Sequence, residues 1–303
     1  MTARQTPAVL VLLALLSSAA LVAQRQRPDA PIEFIEIDAV VLDGKGRPLH
    51  GLTRADFTVK DAGKRVEVGT VTEVRAVPND PDTARTVVAL LDDTGVASVG
   101  TQSIQIIARA LVSSASEIDD VPIVLLHAKD DERYGDRLSG EERIRAYRGG
   151  AWPFAFWSVA GDVLTRVRDI ATQIAANPSR RKIVVCVGSG LICNLGEPQP
   201  SAPRSFERLW FQAVSEAARA NVSYYAIVPG RAGYRFSGLA EMTGGEVFAT
   251  SYDVGPPIDR ILQDAANYYV VGYFAAPSTG DRAHRVEVQV KAKGARVHAR
   301  RLR

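Results

Sequence analysis

The stretch Thr86–Ser98, TVVALLDDTGVAS, decides the fold. Its apolar run Val87–Leu91 is closed by Asp92-Asp93-Thr94-Gly95, the pattern of a strand buried on both faces inside a parallel sheet. The two acids then fall at the strand's carboxyl end, where open α/β sheets bind their ligands. Beyond Ser98, the segment Gln102–Ala115 places Ile104, Ile107, Ala108 and Leu111 on one helical stripe. Strand, acidic turn and helix make the first half of a βαβ unit whose turn is suited to holding a cation.

Working outward, the bulk properties set limits. The chain has 303 residues, 46% hydrophobic and 23% charged, an ordinary globular balance with room for one large or two modest domains. Its formal net charge is +3, and removing the leader described next, whose charge is Arg4 alone, leaves +2. That balance argues against a nucleic-acid binder, which needs a concentrated basic face. The basic tail (Lys291, Lys293, Arg296, Arg300, Arg301, Arg303) reads as a solvated edge strand.

Residues 1–23 read as a secretory leader. Arg4 supplies a positive start, Val9–Leu16 is an apolar core too short to span a bilayer, and small residues follow at Ser18-Ala19-Ala20 and Ala23. The alternative is an uncleaved leader, which would be the chain's contact with a membrane. Export to the periplasm or beyond the cell is the expectation. Cys186 and Cys193 would then meet an oxidising compartment. A disulfide between them needs the chain to turn back through Gly188-Ser189-Gly190, bringing the Cα atoms within about 7 Å. Buried thiols are the other reading.

A polar linker, 24–32, follows the leader. Residues 33–77 read as a β module: the strand FIEIDAVVL (Phe34–Leu42), a turn at Asp43–Gly46, strands at Thr58–Lys60 and Val66–Val74, with Thr53 capping a short turn and Phe57 filling a small core. Residues 84–267 read as an α/β domain. It has further strands at Val121–His127, Ile183–Val187, Val222–Val228 and Val247–Ala249, and helices at Leu138–Arg148, Ser158–Ala176, Ser205–Arg219 (with Ser205 as N-cap), Phe236–Thr243 and Ile258–Ala266. Residues 268–303 return to strands, at Tyr268–Phe274, His284–Ala292 and Val297–Arg303, expected to pair with the N-terminal module. Between the second strand and the third helix lies Trp152-Pro153-Phe154-Ala155-Phe156-Trp157. Its aromatics either mark a binding hot spot beside the ligand crevice or fold inward over the helix.

These stretches carry a resemblance. Asp92-Asp93-Thr94-Gly95-Val96, the lead-in Gly46…Pro48…Gly51-Leu52-Thr53…Asp56-Phe57…Val59…Asp61…Gly63-Lys64, the run Leu239-Ala240…Thr243-Gly244-Gly245…Phe248, and the ending Tyr269…Gly272-Tyr273…His284…Val286…Val288…Val290 are similar to the secreted bacterial proteins described as von Willebrand factor type A-related. The resemblance implies a Rossmann-like, doubly wound, mostly parallel sheet flanked by a small β module built from both chain ends. It also implies a metal-ion-dependent adhesion site on an Asp-x-Ser-x-Ser motif, completed by a Thr and an Asp from other loops. Here that motif is eroded. Asp92 stands, Thr94 keeps a hydroxyl, Val96 offers no ligand, Ala151 stands where the Thr would be, and Ser189 replaces the second carboxylate.

Two chemistries follow. Asp92, Asp93, Thr94 and Ser189 are the candidate metal ligands; no cofactor is the first expectation, with Mg²⁺ or another divalent cation as the alternative. A hydrolase built from Ser189, His127 and Asp92 is geometrically conceivable. However, a nucleophile elbow needs Gly-x-Ser-x-Gly, and Val187 and Leu191 hold the flanking positions. The expectation is therefore a non-enzymatic, adhesion-like interaction module. It would engage another protein at the cell envelope through Trp152, Phe154, Phe156 and Trp157.

Overall fold

The computed structural model describes residues 32–77, 80, 83–93, 100–115, 119–126, 140–149, 156–188, 197–230, 238–250, 253–276 and 284–303, with Phe156 and Ser158 described by their backbone alone. The leader lies outside these residues. Among them, no helix is long and apolar enough to cross a membrane.

The strands are β1 (Glu33–Leu42), β2 (Phe57–Asp61), β3 (Lys64–Val66), β4 (Val68–Arg75), β5 (Arg85–Leu91), β6 (Ile123–Leu125), β7 (Arg181–Val187), β8 (Val222–Pro229), β9 (Val247–Thr250), β10 (Asn267–Ala275), β11 (Val286–Val290) and β12 (Arg296–Ala299). The helices are α1 (Thr101–Ser114), α2 (Gly140–Ala146), α3 (Phe156–Ala175), α4 (Arg204–Arg219), α5 (Gly238–Thr243) and α6 (Gly255–Ala266).

A five-stranded sheet, ordered β6-β5-β7-β8-β9, is parallel throughout. Its strands are apolar at every position along their middles because both faces are covered. Val88, Leu90, Val184, Cys186, Tyr224 and Ala226 pack under α3, α4 and α5. The alternate residues Val87, Ala89, Leu91, Ile183, Val185 and Ile227 pack under α1, α2 and α6. Ile104, Ile107, Ala108 and Leu111 are the buried stripe of α1, as their spacing predicts. This is a mixed α/β fold with a Rossmann-like core.

Two antiparallel sheets form the second layer system. One is ordered β12-β1-β10-β4 and the other β11-β2-β3. Their facing sides enclose a core of Ile37, Ala39, Val41, Phe57, Val59, Tyr269, Val271, Tyr273 and Val286. The turn between β2 and β3 places Ala62 at φ 48° and Gly63 at φ 78°, the paired left-handed residues of a tight hairpin. Thr53 leads into a short 3₁₀ turn, Arg54–Asp56, with its backbone N–H and its hydroxyl both donating to Asp56 Oδ2 at 2.8 Å.

Four expectations are corrected. The single strand Val66–Val74 is two strands, because the chain leaves one sheet at Val66, where it pairs with Val59, and joins the other at Val68, where it pairs with Tyr273. The strand Val121–His127 shrinks to Ile123–Leu125, an edge strand supported on one side by β5. Ser205 is not a cap: Pro203, at φ −58° and ψ 141°, is the non-helical residue at the N-cap, so α4 begins at Arg204 and Ser205 falls inside it. The C-terminal tail is solvated only in part: β12 is an edge strand and Lys291, Lys293, Arg296 and Arg301 are exposed, but two arginines turn inward. The Arg303 side chain is buried, with Nε donating to Asp61 Oδ2 at 2.6 Å, and Arg300 Nη2 donates to Glu36 O at 2.6 Å.

The β module packs against the amino ends of the parallel strands. Asp38 of β1, with a side chain 3% exposed, lies 3.2 Å from Arg180 and 3.6 Å from Arg181 at the start of β7, and accepts from Asn221 Nδ2 at 2.9 Å. Arg181 also stacks over the Tyr268 ring. With that end of the sheet occupied, the carboxyl edge is the end left for a ligand.

Candidate functional site

Asp92 is the residue next after β5, at the carboxyl edge. It is fully buried, and Asp93 beside it is half-buried. The backbone around Asp92 is held on both sides. Its N–H donates to Val187 O at 3.0 Å, and its carbonyl accepts from the Tyr147 hydroxyl at 2.9 Å. Gly188, one residue past β7, approaches so closely that a Cβ there would lie 2.9 Å from Asp92 O. Only a residue without a side chain fits this junction, which is a steric reason for glycine at position 188.

Next to this corner, burial and then the Asp92 charge push the Cys186 thiol well above its ordinary range. A thiol held in that form is a packing group and not a nucleophile. Cys186 is buried in β7, and Cys193 lies outside the described residues.

Trp157 stands in the first turn of α3. That helix feeds β7 by a parallel crossover, so its amino end lies at the carboxyl edge of the sheet. Trp157 is 39% exposed, and its ring meets Phe206 of α4 edge-on, with centroids 5.0 Å apart. It is thus half packed and half offered to solvent.

The structure therefore brings Asp92, Asp93 and Trp157 to one edge of the sheet. Thr94, His127, Ala151, Trp152, Phe154 and Ser189 lie outside the described residues, as does the side chain of Phe156. Sequence reading missed Tyr147. Its contact with Asp92 spans 55 positions, and its one local signal was an aromatic at the end of an amphipathic helix. It also missed the Asp38 cluster, although a lone acid in the apolar run IDAVVL was a signal, since Asp is almost never fully buried unpaired.

No family model matches the chain, and no curated protein matches it. Solved structures it is similar to include the human COPII-coat protein Sec24c, at 10% identity and a TM-score of 0.36 over 78% of this chain and 46% of that one. The chain thus spans about half the length of that protein. Another is the N-terminal domain of TFIIH p34, at 12% identity and a TM-score of 0.35 over 60% of this chain and 99% of that one. Likenesses at these scores carry no argument about this protein. The fold and the site rest on its own geometry.

Proposed function

We propose that this chain is an exported, non-enzymatic, adhesion-like module of the von Willebrand factor type A-related kind, whose metal site has eroded. It engages another protein at the cell envelope through the carboxyl edge of its parallel sheet. The observation that carries this reading is Trp157: a large aromatic residue, 39% exposed, with its ring against Phe206 at the edge where α/β sheets take ligands. Trp is among the residues enriched at binding hot spots, and with two side-chain torsions it loses little entropy when covered.

The test replaces Trp157 with a photo-crosslinking residue in the chain from Gln24, with Phe211, exposed on α4, as the control position. In envelope fractions of the source cell, position 157 gives an adduct of discrete mass. Excess wild-type chain suppresses it and Trp157→Ala chain does not. No adduct, or the same adducts from position 211, overturns the reading.

A second reading keeps a divalent cation on Asp92 and Thr94, favoured by the burial of Asp92 at the strand end. In that case Mg²⁺, Mn²⁺ or Ca²⁺ raises the melting temperature of EDTA-treated protein, and Asp92→Ala abolishes the rise.

A further inference from the structure

At the opposite end of the sheet, three segments distant in sequence bring ligand-type side chains together. Glu246 directly precedes β9, Asp264 lies in the last turn of α6, and His298 lies on β12. A ligand atom from each falls within 4.8 Å of the other two. His298 Nδ1 is 3.8 Å from Glu246 Oε2, and its side chain is 17% exposed. Asp264 is 0% exposed.

The polar atoms at this point are only partly satisfied by the protein. Asp264 Oδ2 accepts a long bond, 3.4 Å, from the Tyr225 hydroxyl. Asp264 Oδ1 lies 3.1 Å from Arg260 Nη2, but without hydrogen-bond geometry. Asp264 Oδ1, Arg260 Nη2 and His298 Nδ1 are all buried with no hydrogen-bond partner. Buried polar atoms are nearly always paired, so Asp264 Oδ1 and His298 Nδ1, two lone-pair atoms on neighbouring ligand-type side chains, call for a missing partner.

We propose that Glu246, Asp264 and His298 form a binding site for a divalent first-row transition-metal cation, with Zn²⁺ as the best match, that clasps the β module to the α/β domain. One imidazole and two carboxylates are a zinc-type donor set, with a fourth position left for water. Magnesium, which prefers oxygen donors and retained waters, is disfavoured by the imidazole. Bonds of about 2.0–2.2 Å require the three donors to close in from their present separations. Arg260 is the competitor. Its Nη2 is the cation nearest Asp264 Oδ1, while its Nη1 donates to Gly46 O in the β module. The site is independent of Asp92, which sits at the other end of the sheet.

The experiment titrates untagged, metal-stripped chain with Co²⁺, whose visible d–d absorption reports low-coordinate binding, and then adds Zn²⁺. The expected result is a band saturating at one equivalent, bleached by Zn²⁺, with a rise in melting temperature. His298→Ala and Glu246→Gln each weaken binding at least ~10-fold, the scale that even outer-shell changes reach. Asp92→Ala leaves it unchanged, and Arg260→Met tightens it. Both ligand variants are read at positions that are not fully buried, and their melting in EDTA checks that they fold. Absence of the band at one equivalent overturns the site. So does its survival in both ligand variants, or its loss in Asp92→Ala, which would assign the metal to the carboxyl edge instead.

Discussion

Gly188 and Asp92 meet across the ends of neighbouring strands with no room between them. A Cβ built on Gly188 would lie 2.7 Å from Asp92 Cβ and 2.9 Å from Asp92 O. Neither obstacle is the far end of a flexible side chain, so relief requires the β5 and β7 ends to part. Gly188→Ala is expected to cost about 1–3 kcal/mol, the usual range for overpacking. Urea denaturation measures it, and wild-type stability in the variant would mean the strand ends yield freely.

Removing the Tyr147 hydroxyl acts on the same corner by a different route. Tyr147→Phe keeps the ring under α1 and strips the donor from the Asp92 carbonyl. The expected loss is ~1 kcal/mol, rising toward 3 if the buried carbonyl finds no substitute donor. A melting temperature unchanged within error would show that water or a neighbouring group takes the place of the hydroxyl.

Asp38 is the charge on which the two layer systems are joined. It faces Arg180, Arg181 and Asn221, and the Arg181 side chain is 4% exposed. Asp38→Ala leaves a buried guanidinium uncompensated, and about 3–5 kcal/mol is expected to be lost. Asp38→Asn, which retains an acceptor, should cost less. If both variants unfold at the wild-type urea concentration, the cluster does not join the layers.

Acid sensitivity of the β module is predicted at Glu73. The Arg75 hydrogen bond first, then His50 and the Gly51 N–H, hold its pKa down from 4.5 to about 2 against desolvation. A depressed carboxyl stabilises the fold when ionised. Its contribution is therefore full above pH 4.5 and drains away as pH falls toward about 2. The group is near the surface, so the effect is under ~1 kcal/mol. Melting curves of wild type and Glu73→Gln should converge as pH falls through that window. A constant gap down to the lowest pH would refute the assignment.

The parts of the fold legible in the sequence are those set by short-range periodicity. Val87–Leu91 reads as buried on both faces and is so, because strand residues alternate and both alternating sets are apolar. The α1 stripe and the Ala62-Gly63 hairpin follow equally from local chemistry. Of the candidate site, Asp92 is legible because a charge ending an apolar strand marks the carboxyl edge. The exposure of Trp157 is not, since a ring at a helix start packs or protrudes according to what lies beside it, here Phe206.

By itself, then, the sequence determined the layered α/β core, the strand whose end carries Asp92, and the return to β structure at the C-terminus, through patterns spanning a few residues. Only the tertiary structure decided where the chain switches sheets at Glu67, that Arg300 and Arg303 turn inward, and that Glu246, Asp264 and His298 meet. A single sequence records residue types and their spacing, whereas these contacts depend on which distant surfaces bury one another. The energy of a buried charge is set by the partner it finds there.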